Sequence, residues 1–168
     1  MADHVTIRET TAADARAVQS VADASRHAAY DAILGVETVD DIVTNWYDPD
    51  RVVADDVAPD DRPFFVAVVD DEVVGYVEGV PDGDDPELAH LYRIYVHPDH
   101  WGVGVGRNLL DRLETAFSGR GFERLRLSVF AENDVGVQFY ESVGFDRVDA
   151  TRDEQFGVDR YEYAKRLP

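Results

Sequence analysis

Three glycines stand at alternate positions, Gly102, Gly104 and Gly106, in the stretch "HPDHWGVGVGRNLLDRLE", just before an amphipathic run. A glycine inside a helix costs about 1 kcal/mol against alanine, so three of them imply a need for bare backbone. The preceding "ELAHLYRIYVHP" reads as a strand stopped by Pro98. The context is therefore strand, glycine loop, helix start. Amides in a first helical turn lack partners and, with the helix dipole, attract anions that glycine lets come close. A ligand-free turn would be served by one glycine; three predict phosphate binding. A mononucleotide loop would continue with Lys-Ser/Thr, but Arg107-Asn108 follow Gly106. A dinucleotide fingerprint begun at Gly102 or Gly104 puts Arg107 or Leu109 where glycine or alanine belongs. Both nucleotide patterns fail.

The elements that must hold this loop follow from periodicity. "VTIR" alternates as a short strand, and Thr10 or Thr11 caps a helix over "AADARAVQSVADAS". "VETVDDIVTNWY" is a second helix with Val39, Ile42, Val43 and Trp46 on one stripe, followed by an acidic loop to Pro63. "PFFVAVVDDEVVGYVEGV" is a hairpin turning at Asp70-Asp71. After the glycine loop come a helix from Arg107 to Phe117, the strand "RLRLSVF", a short helix closed by Gly144, and a last hairpin. The order predicts an α/β fold, a mixed central sheet flanked by helices, with residues 1–168 as a single domain.

Charge narrows the partners. Sixteen basic residues, of which only Lys165 is a lysine, oppose 35 acidic ones for a net charge of −19. Such a surface repels nucleic acid and anionic membrane, so neither is expected as a partner. The carboxylates are scattered rather than gathered in a tail, which suits a chain adapted to molar salt, where screening acts within about 3 Å. A halophilic archaeon is the expected source. Cysteine is absent, so neither disulfides nor thiolate metal sites are expected, and no metal is called for. With no signal-peptide pattern in "MADHVTIRET" and no apolar run of membrane length, cytoplasm is the default location.

"LYRIYVHPDHWGVGVGRNLLDRLE" followed by "RLRLSVFAENDVGVQFYESVGF" resembles the GNAT superfamily of N-acetyltransferases, which move acetyl from acetyl-CoA to an amine. The family's R/Q-x-x-G-x-G/A lies on Trp101, Gly104 and Gly106, and its second motif on Asn133, Tyr140, Gly144 and Phe145. The resemblance implies acetyl-CoA as cosubstrate, its pantetheine arm along the backbone of Ile94, Tyr95 and Val96. It implies a pyrophosphate held by the amides of Gly102, Val103, Gly104, Val105, Gly106 and Arg107, with Arg107 the nearest cation. Asn133 is a helix cap, a cofactor contact, or both. Two departures stand out: Trp101 where the family has Arg or Gln, and Gly136 where alanine is common.

The resemblance places Tyr140 near the CoA sulfur as proton donor, with core packing beside Phe139 as the plainer alternative. His90 falls where some members carry a glutamate base; on an even strand it shares a face with Tyr92, Ile94 and Val96. A surface histidine after an acidic turn is the competing reading. Glu78 is the rival base, or an anchor for a cationic acceptor, against a solvated edge position. The acceptor, a small-molecule or peptide amine, is expected between the first 60 residues and the final hairpin, where His27, Tyr30, Trp46 and Tyr47 supply aromatics. A catalytically weak acyl-CoA sensor or scaffold is the alternative to an enzyme. A homodimer stays open.

Overall fold

A computed structural model describes residues 4–168; residues 1–3, part of the N-terminal segment read above, lie outside it. Strand β1 (Thr6–Glu9) leads into helix α1 (Ala15–Leu34) and α2 (Val36–Trp46), then the short α3 (Pro49–Val52). The hairpin β2 (Phe64–Val69) and β3 (Glu72–Pro81) continues to β4 (Leu88–Val96), α4 (Val105–Gly119), β5 (Arg124–Phe130) and α5 (Asp134–Ser142). The closing hairpin is β6 (Asp146–Asp153) and β7 (Val158–Arg166). The seven strands form one mixed sheet in the order β1-β2-β3-β4-β5-β7-β6.

Most element positions follow from local chemistry. Asp70 and Asp71 both adopt positive φ, the paired left-handed turn that suits the right-handed twist of a tight hairpin. Gly35 ends α1 at φ 88, so that helix runs through Leu34 rather than stopping near Ser25. The acidic stretch expected as a loop is instead helical: Asp48 accepts from the Arg51 amide, Pro49 opens α3, and a wide turn over Val53–Val57 follows. Its reward is the burial of Val52 among the α1 residues Val18, Val21 and Ala22.

Helices cover both faces of the sheet. On one, α4 brings Leu109, Leu110, Leu113 and Phe117 onto Phe65, Val77, Ala89, Leu91 and Leu127, and α5 adds Phe139 and Tyr140. On the other, α1 and α2 pack against Phe64, Val66, Tyr76 and Tyr95. Lys165 pins this assembly: its Nζ donates to Glu114 Oε2 of α4 at 3.0 Å and to the Val143 carbonyl at the end of α5 at 2.8 Å. Among the described residues no helix is long and apolar enough to cross a membrane.

Two irregularities shape the site. β4 and β5 are parallel neighbours, yet they pair only at Leu88–Arg124, Ala89–Leu125 and His90–Arg126. Beyond His90 the two strands part. β4 also carries a bulge: Glu78 pairs with Arg93 and Gly79 with Leu91, leaving Tyr92 as an extra residue.

Candidate active site

The loop after β4 builds the first cleft. His97, Pro98 and His100 make a turn, and α4 begins at Val105 with Gly104 as its cap residue, two residues earlier than the periodicity indicated. Gly102 and Gly104 hold φ of 77 and 91, left-handed values that cost an L-residue about 1–2 kcal/mol. Gly106 is glycine for another reason: a Cβ there would lie 3.3 Å from the Phe139 ring. Among the described residues, no carbonyl or side chain accepts from the amides of Gly102 through Arg107; the first helical bond runs from Asn108 N to Gly104 O. The anion cradle expected from the glycines is thus a run of free donors at a helix N-terminus.

These donors face a cleft of about 500 Å³. Ile94, Tyr95, Val96, Trp101, Gly102, Gly104, Val105, Gly106, Arg107 and Tyr140 all border it, with Val135, Gly136 and Phe139 of α5. Ser25 and Ala29 of α1 close its far side through the gap where β4 leaves β5. Val103 is exposed and does not line the cleft. Asn133 caps α5, its Oδ1 accepting from Gly136 N at 3.0 Å, and it too lies off the lining. Gly136 fits this cap: a Cβ there would approach Asn133 Nδ2 to 2.7 Å. Trp101 lines the same cleft as the free amides. Its indole N–H donates to the Val96 carbonyl at 2.6 Å, at the last residue of β4.

Tyr140 packs edge-on against Phe139 and Phe145. Burial, reinforced by Tyr95 nearby, pushes its phenol above the ordinary value, so it stays protonated.

A second cleft, of about 630 Å³, lies on the α1 and α2 side of the sheet, and Tyr95 lines both clefts. Tyr30 and Trp46 from the first 60 residues line it together with Gln155, Phe156 and Arg160 from the closing hairpin. Tyr47 is instead fully buried beneath it, bonding to Tyr76 Oη at 2.8 Å. His27 lies elsewhere, on the α1–α2 surface among Asp23, Asp31 and Asp40.

His90 lines this second cleft, and its Nε2 sits 2.7 Å from Asp82 Oδ1. The hydrogen bond to His90, with two backbone amides, draws the Asp82 carboxyl down to about 2. The expectation that His90 shares a face with Ile94 and Val96 fails. Ile94 and Val96 pack with Ala89 and Leu91 on the α4 side, and the bulge at Tyr92 turns His90 to the opposite face. The strand carries His90 roughly 13 Å from Ile94, four residues at about 3.3 Å each.

Glu78 is not a solvated edge residue. β3 lies between β2 and β4, and Glu78 is 0% exposed, on neither cleft's lining. Arg62 Nε donates to Oε2 at 2.9 Å, Arg93 Nη1 lies 3.9 Å from Oε1, and buried Asp56 completes the group. Burial and then Asp56 raise the Glu78 carboxyl to about 8, against the pull of Arg93 and Arg62. No spacing pattern announces this cluster, because its four members come from three separate segments.

The Acetyltransferase (GNAT) family model matches residues 20–145. An acetyltransferase of Pectobacterium atrosepticum is 32% identical over 120 residues, 71% of this chain and 83% of that protein. The PaiA N-acetyltransferase of Thermoplasma acidophilum, solved in complex with coenzyme A, matches with a TM-score of 0.85 at 24% identity, over 95% of this chain and 98% of that one. YncA of Salmonella typhimurium, solved with acetyl-CoA, matches at TM-score 0.70 and 22% identity, over 99% of this chain and 95% of the other. Those two structural likenesses speak for the fold.

Proposed function

The chain belongs to the Acetyltransferase (GNAT) family, and we propose that it transfers acetyl from acetyl-CoA directly to a primary amine, both substrates being bound at once. One observation carries this: the free amides from Gly102 to Arg107 border a cleft that also holds Tyr140 and that shares the wall residue Tyr95 with a second cleft. Anion binding, a hydrogen-bond donor for the sulfur and room for an acceptor lie in two clefts with one wall residue in common.

In this reading the Gly102–Arg107 amides take the pyrophosphate, Val103 contributing its N–H, and Arg107 adds the nearest cation. The backbone of Ile94, Tyr95 and Val96, released by the parting of β4 from β5, pairs with the pantetheine arm as an added strand would. Asn133 serves by capping α5 and so fixing Tyr140, about two turns further along that helix. The amine nitrogen forms its bond to the thioester carbonyl carbon, the carbon–sulfur bond breaks, and the sulfur leaves with the electron pair. A main-chain amide at the end of β4 stabilises the carbonyl oxygen as it gains charge. A phenol raised above its ordinary value does not readily surrender its proton to a thiolate of pKa about 8.5. Tyr140 therefore acts mainly by hydrogen-bonding the sulfur as charge develops, an interaction with a charged acceptor worth about 1.5–3 kcal/mol.

The amine must also lose a proton. His90 is the better-placed receiver: Asp82 holds Nε2, Nδ1 bonds to nothing among the described residues, and the residue lines the acceptor cleft. Its distance from Ile94 requires water in between. Glu78, sealed by Arg62 and Arg93, is the rival.

The test is release of CoA thiol with a panel of amines, run from low salt to multimolar KCl because of the −19 charge. Tyr140→Phe lowers kcat about 10- to 100-fold with CoA affinity unchanged; equal turnover removes Tyr140 from the mechanism. An unaltered pH profile in His90→Ala removes His90. The Trp101 indole, bound where the family has Arg or Gln, favours the second reading, a CoA-binding sensor; CoA-dependent thermal protection with no thiol release from any amine would establish it.

A further inference from the structure

Arg26 is 8% exposed and its guanidinium sits inside an aromatic cage. Its Cζ lies 4.6 Å from the Tyr95 ring centroid, 5.1 Å from Tyr47, and 5.8 Å from both Tyr30 and Trp46. Nε and Nη2 both donate to Tyr47 Oη, at 3.2 and 3.0 Å. Nη1 donates to nothing among the described residues, and no carboxylate lies within ion-pair distance of any of the three nitrogens. The phenols supply no countercharge, because burial keeps Tyr30, Tyr76 and Tyr95 neutral.

A buried charge without an opposite charge is costly, and aromatic faces recover only part of that cost. Scarcity does not explain the omission, since the chain has 35 acidic residues. Elsewhere in the same cleft arginines are paired: Arg93 lies 3.6 Å from Asp56, and Arg160 donates to Asp153 at 2.9 Å. Arg126, a half-buried residue of the same lining, also has no carboxylate partner among the described residues. Two uncompensated guanidiniums thus border one cavity of a strongly acidic protein.

Resting on the acetyltransferase reading above, we infer that the acceptor is an amine bearing a nearby carboxylate, an amino acid type of substrate, and that Arg26 binds the carboxylate through Nη1. The position suits this. Arg26 packs on Tyr95, the residue common to both clefts, and Tyr95 Oη bonds to Tyr30 Oη at 3.0 Å. In an α-amino acid the amine is two bonds from the carboxyl carbon, so a carboxylate held there keeps it close to Tyr95, which also lines the cofactor cleft. Phe130, Phe156 and Trp46 border the remaining space and accept an apolar side chain. A polyamine would bring positive charge against a guanidinium that already lacks an anion.

The experiment compares kcat/KM for matched amines with acetyl-CoA on the whole chain: phenylalanine against phenylalaninamide and phenethylamine, leucine against leucinamide, and spermidine. The inference predicts that at least one acid exceeds its amide by tenfold or more, with spermidine the poorest. Arg26→Met, which keeps volume and deletes the charge, should bring the acid-to-amide ratio close to one, chiefly through KM for the acid. An arginine of structural importance alone would lower turnover of acid and amide alike. Should Arg26→Met fail to fold, the wild-type acid-to-amide ratio decides by itself. Amides or spermidine matching or exceeding the acids overturns the inference while leaving the transferase standing. Thiol release with none of these acids while other amines of the wider panel react overturns the inference alone; release with no amine at all, alongside thermal protection by CoA, overturns the transferase reading and the inference together.

Discussion

Replacing Gly104 by alanine tests the anion cradle most directly. Gly104 sits at φ 91, ψ 6, and an ideal Cβ there meets no atom within 4 Å. Crowding therefore contributes nothing, and the whole effect is backbone strain. Holding an L-residue in the left-handed region costs about 1–2 kcal/mol. If the loop keeps its shape, that sum is lost from folding stability. If the loop relaxes instead, the amides turn away from the cleft and CoA affinity falls by about 5- to 30-fold, the same free energy at 1.4 kcal/mol per decade. The two losses, measured by denaturant titration of the free protein and calorimetric titration with CoA, should add to about 1–2 kcal/mol. Gly106→Ala is the contrast. Its φ is ordinary, the helix gains up to about 1 kcal/mol in propensity, and the new methyl presses on Phe139 at 3.3 Å. Its stability should stay within about 1 kcal/mol of wild type. A Gly104→Ala protein with full stability and full CoA affinity would refute the claim that left-handed glycines aim the amides.

Glu78→Gln should change the pH dependence of stability. A carboxyl raised to about 8 keeps, in the folded chain, a proton that the unfolded chain has released above about 4.5, so wild-type stability declines as pH rises through that window. The variant lacks that slope, and its stability relative to wild type should improve between pH 5.5 and 8, by at most about 3 kcal/mol; a gap independent of pH in urea titrations would count against the shift. His27 works in the same pH sense through a different linkage. Burial lowers its pKa, but hydrogen bonds with Asp31 and Asp40 outweigh this and raise it, so the stability it adds is complete below about 6.5 and lost as pH climbs through the folded value. His27→Gln should therefore be more destabilising at pH 5.5 than at pH 8, and less so in molar salt, as followed by thermal melts. Phe117→Ala should cost about 3–5 kcal/mol with CoA binding retained in whatever fraction folds, because its ring is fully buried between α4 and β3.

How much of this was readable in advance depends on the range of the physics involved. Hydrophobic periodicity located all seven strands and four of the five helices, and Asp70-Asp71, Gly35 and Gly144 act through their own dihedral preferences. The glycine loop was legible because free amides at a helix start follow from which residues come next in the chain. The helicity of residues 49–57 was hidden, because Val52 is held by a patch that α1 supplies from some thirty residues away. The face of His90 was hidden too. A single unpaired residue in β4 exists only relative to the register of β3, and one such slip reverses which side every preceding side chain takes.

The primary structure by itself determined the family motifs, the acidic balance of charge and a glycine-rich helix start after β4, since each depends on neighbours in the chain or on counting charges. Only the tertiary structure decided that Arg26 stands without an ion-pair partner among Tyr30, Trp46, Tyr47 and Tyr95, that Glu78 is sealed with Asp56, and that Tyr95 lines two clefts. The physical reason is that a charge's cost and a carboxyl's affinity for its proton are set by what surrounds them, and those surroundings come from distant segments brought together by folding.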